Sequence, residues 1–161
     1  MHRILVALVV ASCGSPSVPP VDPPPLAQPA VVLGPLTREQ VLAAPKWREA
    51  FEEAEPDLAA ARALGNVPKG ARVDVYFGTW CPDSRYEVSR FFKALDAIGA
   101  PPPFEVNLIG VDRQKHAPAE IELKRVPTFI VRVGDAEIGR IVEHAPGGIE
   151  TELTALLTKS R

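Results

Sequence analysis

An α/β fold is predicted, with a central mixed β-sheet of about four strands flanked by helices and an N-terminal helical extension; three observations lead to it. Arg72-Val73-Asp74-Val75-Tyr76-Phe77 is a β-rich run ending at Gly78, and beyond Pro82 the apolar period becomes helical. Phe104-Glu105-Val106-Asn107-Leu108-Ile109 returns to strand character. Thr128 to Val133 and Ala136 to Val142 then bracket a Gly134-Asp135 turn, a hairpin signal, and a last helix runs from about Ile149 to Leu157.

Taken in order, Thr37-Arg38-Glu39-Gln40 has the form of a capping box. Val41, Leu42, Trp47, Ala50, Phe51 and Ala54 recur at helical spacings through a stretch interrupted by Pro45, so one or two helices open the domain. The alanine-rich stretch from Asp57 to Leu64 reads as a short helix closed by Gly65-Asn66. After the strand at Arg72 to Phe77, Pro82 suits a first helical position. Val88, Phe91, Phe92, Leu95 and Ile98 form one apolar stripe that must lie on a sheet. Gly99 to Pro103 breaks that helix, and Pro118 to Lys124 reads as a short helix before the hairpin.

At 161 residues, 46% of them hydrophobic, the chain has room for one ordinary domain, which the patterning places at residues 37–161. The 18 basic and 20 acidic residues are mixed along the chain, net charge −2, with no basic stripe to neutralise phosphates; nucleic acid is not expected as a partner. His116 and His144 fall in loops without Cys or His at ligand spacing, so no metal site is expected. No phosphate-cradling glycine loop and no G-x-S-x-G around Ser84 is present, and no cofactor is called for.

The first 36 residues differ in kind. Met1-His2-Arg3 is a weakly basic start, and Ile4 to Ala11 is an apolar run of signal-peptide length, too short to span a bilayer. Val10-Ala11-Ser12-Cys13 resembles a bacterial lipobox, which implies a signal peptide at residues 1–12 and a lipidated Cys13 as the first mature residue. Gly14 is not the acidic residue that in such signals favours inner-membrane retention, so outer-membrane sorting facing the periplasm is the expectation. An ordinary signal or a chance apolar start is the alternative. Eight of the 18 prolines lie between Pro16 and Pro35, which makes residues 13–36 an extended tether that cannot join a core.

The chemistry centres on Trp80-Cys81-Pro82-Asp83-Ser84. Cys81 sits where a strand ends and a helix begins, near unpaired amide donors and the positive end of a helix dipole, surroundings that favour thiolate, the nucleophilic form. This motif, followed after a helix and a strand by Val126-Pro127-Thr128 at the mouth of a hairpin, resembles the thioredoxin-like family over about Arg72 to Leu157. The resemblance implies a cis-proline at Pro127 beside the sulfur, a Val126 backbone able to pair with an extended substrate, and Trp80 shielding one side of the site.

Two departures from the family qualify that. Ser84 stands where the family's second cysteine would be, so a mixed disulfide at Cys81 cannot be resolved within the motif. The buried acid that many thioredoxins carry six positions before the cysteine is Val75 here, with Asp74 on the opposite strand face. Monothiol exchange through Cys81 with protein or small-molecule thiols and disulfides, by a monomer held to the membrane through a lipid anchor, is therefore the expected activity. Ser84 is expected to hydrogen-bond the thiolate, with Asp83 opposing it and Arg85 offsetting Asp83. The alternative is a catalytically inactive thioredoxin-fold binding or adaptor lipoprotein using the Val126-Pro127 edge.

Overall fold

The computed structural model describes residues 31–159. The expected signal peptide, Cys13 and the expected tether as far as residue 30 lie outside the described residues. Elements follow in the order β1 (Gly34–Leu36), α1 (Arg38–Leu42), α2 (Pro45–Glu53), α3 (Leu58–Leu64), β2 (Ala71–Phe77), α4 (Pro82–Ile98), β3 (Glu105–Gly110), a 3-10 turn (Ala119–Ile121), β4 (Thr128–Val133), β5 (Ala136–Val142) and α5 (Ile149–Thr158). Among the described residues no helix is long and apolar enough to cross a membrane.

The strands form one mixed sheet in the order β1-β3-β2-β4-β5. β2 lies at its centre because it is buried on both faces, pairing parallel to β3 (Val75 opposite Leu108) and antiparallel to β4 (Val75 opposite Phe129). The parallel pair needs a crossover, and α4 supplies it. The β4–β5 hairpin turns at Gly134, whose φ of +57° suits glycine. This arrangement, β2-α4-β3 joined to β4-β5-α5, is a thioredoxin-like α/β fold.

The sheet has five strands where about four were expected. The extra one, β1, falls inside the stretch 13–36 read as tether: Gly34 pairs with Gly110 and Leu36 with Leu108, antiparallel at the sheet edge. Three residues carry no periodic signal, and Pro35 is tolerated because an edge strand needs no donor on its outer side. Gly110 permits the docking, since a Cβ there would run into the Val32 carbonyl oxygen. The helix expected at Pro118 to Lys124 shrinks to the single 3-10 turn, ended by Glu122 at φ 48°.

The five helices gather on one face. Val73, Val75, Phe77, Phe129 and Val131 point toward them and join Trp47, Leu64, Phe91, Phe92, Ile149 and Leu153 in the main core. Trp47 meets Phe77 edge-on at 5.5 Å, and Phe91 meets Phe129 likewise at 5.4 Å. On the opposite face Tyr76 and Ile130 pack with Cys81, Val111, Ile121 and Val126 in a smaller cluster, while Asp74 is tied to Arg72, Asn107 and Arg132. Trp47 also donates its indole N–H to the Thr79 carbonyl at 3.1 Å, so the N-terminal extension braces the loop that leads into α4.

Polar groups are enclosed where α4 meets α5. Glu87 and Glu150 are buried, and Glu87 Oε2, Ser89 Oγ, Arg90 Nε and Glu150 Oε2 lack a partner among the described residues. Burial pushes the Glu87 carboxyl above its ordinary value of 4.5, opposed in part by the Ala145 N–H, His144 and Arg90. An acid raised in the folded state contributes stability that is fully present below the unfolded value and is lost as pH rises through the folded one. Glu87→Gln keeps an acceptor and removes the titration. The stability gained by the variant over the parent is expected to be smallest below the ordinary carboxyl value and to grow as pH rises through the raised folded value, read from urea unfolding at each pH; a pH-independent difference would refute it.

Candidate functional site

The site forms where β2 ends. Phe77 closes the strand, and its carbonyl accepts the Val111 N–H at 2.9 Å, fastening the loop after β3. Gly78 then lets Trp80 fold back over the backbone, because a Cβ at this position would lie 2.6 Å from the indole Cε2. The Cys81 N–H closes the turn on the Gly78 carbonyl at 2.9 Å. Cys81 is the N-cap residue of α4, Pro82 occupies the first turn, and Arg85 donates its N–H to the Cys81 carbonyl at 3.1 Å.

The Val126–Pro127 peptide bond is cis. The Cys81 thiol lies 3.7 Å from the Val126 carbonyl oxygen and is aimed to donate to it. Val126, Pro127 and Thr128 are buried, with the Thr128 hydroxyl donating to the Arg125 carbonyl at 2.7 Å and the Pro127 carbonyl accepting the Glu143 N–H at 2.8 Å. The proline loop is thus held from both sides. Trp80 is half-buried, donates its indole N–H to the Val111 carbonyl at 3.1 Å and carries the Arg113 guanidinium over its ring at 5.0 Å. Trp80, Cys81, Val126 and Pro127 converge; Pro82 and Asp83 are exposed on the first turn of α4.

One expected contact is replaced. Ser84 is fully buried, and its hydroxyl accepts the Gly78 N–H at 3.1 Å instead of meeting the sulfur. It braces the turn that carries Cys81. A side chain's choice between a backbone amide and a sulfur depends on the path of the preceding loop, which no local pattern encodes. Val75 lies in the main core, so no carboxylate occupies the position beneath the motif; Asp74 is on the other face with its two arginines. Among the described residues Cys81 is the sole cysteine, only 7% exposed, and no three His, Cys, Asp or Glu side chains gather as a metal site would require.

Strand order, the crossover helix capped by Cys81 and the cis-proline loop facing it define a thioredoxin-fold protein. Solved structures of similar shape include a Pseudomonas aeruginosa protein of unknown function (18% identity, 75% of each chain, TM-score 0.46) and an HIV epitope scaffold (20% identity, 74% of each chain, TM-score 0.47). A Fasciola hepatica thioredoxin is similar at 23% identity over 58% of this chain and 84% of its own, TM-score 0.44. No family model matches the chain, and no curated protein matches it.

Proposed function

We propose that the chain is a monothiol thiol–disulfide exchange protein of the bacterial cell envelope, working through Cys81. The observation that carries this is the placement of a lone sulfur at the N-cap of a 17-residue helix, 3.7 Å from the carbonyl that precedes a cis-proline. The thiolate form of a cysteine is the nucleophile in disulfide exchange. The thiolate attacks one sulfur of a substrate disulfide, the S–S bond breaks, and the second sulfur leaves as a thiolate that takes a proton from solvent. An external thiol then attacks the mixed disulfide, releasing Cys81 and supplying the electrons. The step needs an outside partner because Ser84 has no sulfur.

Val10-Ala11-Ser12-Cys13 supports a location to match: lipidation at Cys13, with the prolines beyond it holding the domain away from the membrane. Radiolabelled palmitate incorporated by the parent and lost in Cys13→Ser would support the anchor; equal labelling would count against it.

Exposure of only 7% at Cys81 favours a second reading, a module that binds extended peptides at the Val126 edge without exchange. Incubation with glutathione disulfide, followed by intact mass, separates the two. Exchange requires one glutathionyl group added to the parent, none added to Cys81→Ser, and removal by added thiol at a rate above that of an unstructured cysteine peptide. A folded protein that stays unmodified over hours sinks the exchange reading and leaves the binding module.

A further inference from the structure

A cavity of about 300 Å³ lies beside the site, between the strand β1, the helices α1 and α2 and the start of α4. Its walls are apolar: Leu36, Val41, Ala44, Pro45 and the buried ring of Trp47. The side-chain groups at its rim are donors. Lys46 and Arg85 form no ion pair among the described residues, and Gln40 has its amide oxygen committed to the Thr37 N–H, which leaves its NH₂ for a ligand. No aspartate or glutamate lines this cavity; Glu49 and Glu53 line a neighbouring depression together with Lys46 and Arg85, and neither forms an ion pair with them among the described residues. Small-molecule sites combine such apolar walls with a few convergent polar groups, and two unpaired cations select a carboxylate, for which a guanidinium offers a matching pair of donors.

We propose that this cavity binds an aliphatic monocarboxylate, its chain against Trp47 and Val41 and its head between Lys46 and Arg85. At roughly 30 Å³ per non-hydrogen atom, taken as close to a water's share of liquid volume, the space of about 300 Å³ suits about ten such atoms, the size of an eight-carbon carboxylate. The site is independent of the chemistry at Cys81 and adjoins it: Arg85 is one turn into the helix that Cys81 caps, and Thr79, whose carbonyl holds the Trp47 indole, is two residues ahead of the sulfur. A bound ligand therefore touches the groups that position the Trp80-Cys81 loop.

Octanoate, octanol and octylamine, each below its micelle concentration, are titrated into Cys81→Ser protein by calorimetry, with the Trp47 indole N–H followed by NMR. This background separates the outcome from that of the exchange reading. Saturable octanoate binding that moves the Trp47 indole resonance is expected, at least about ten-fold weaker in the Lys46→Gln/Arg85→Gln double variant and blocked by Ala44→Phe. Octanol or octylamine binding as tightly as octanoate, no binding at all, or binding indifferent to the double variant would overturn the assignment. Octanoate affinity that falls as protein concentration rises would make a second copy of the chain the occupant and would overturn it too.

Discussion

Truncating Phe91 to alanine is expected to lower the unfolding free energy by about 3–5 kcal/mol, a large fraction of the stability of a domain this size. Phe91 is fully buried on the sheet-facing side of α4, edge-on to Phe129 at 5.4 Å and beside Phe92 at 6.4 Å. Its removal loses the transfer energy of the ring and leaves a cavity between a helix and the central strands, where neither side can collapse without breaking the β2–β4 register. Urea unfolding followed by tryptophan fluorescence measures the loss, since Trp47 is buried in the same core. A loss under about 1 kcal/mol would mean that α4 is not seated on the sheet as described.

Replacing Arg90 with leucine is expected to cost about 3 kcal/mol at neutral pH, and Glu150→Gln in the same chain to recover most of it. Glu150 is fully buried at the start of α5, where its Oε1 accepts the Asp57 N–H at 2.6 Å and the Arg90 guanidinium at 3.3 Å. Without Arg90 a carboxylate remains in the interior with one backbone donor, and leaving a buried charge unpaired costs far more than deleting the pair. The other arm of Arg90 donates to the Tyr86 hydroxyl at 3.3 Å near the surface and contributes little. A double-mutant cycle isolates the coupling. Additive effects of the two substitutions would show that the pair does not interact in solution.

Much of the architecture was legible because it is written in short windows. The hairpin strands emerge at Thr128–Val133 and Ala136–Val142, the bounds that the two β-rich runs and the Gly134-Asp135 turn between them predicted, and α4 ends at Ile98 as its stripe did. Thr37 and Gln40 form both bonds of the capping box, and Asp57 caps α3 through the Ala59 and Ala60 amides. Where the window was too short or the partner too distant, reading failed. β1 has three residues and no pattern, the 3-10 turn lacks the length of a helix, and the Ser84 hydroxyl answers to a backbone amide six residues back.

The placement of the site divides the same way. Composition and period put Cys81 at a strand-to-helix junction, and resemblance to a family, rather than any spacing, pointed from Cys81 to Pro127, 46 residues on. Nothing local could anticipate Glu87 and Glu150 both being buried near Arg90, or Trp47 reaching across 32 residues to the Thr79 carbonyl and leaving an apolar cavity beside it. By itself the sequence determined the elements, their caps and the one sulfur available within residues 31–159. Tertiary structure alone decided which face each element covers and what stands beside that sulfur, because those contacts join residues far apart in the chain and form only when the sheet closes and excludes water from both of its faces.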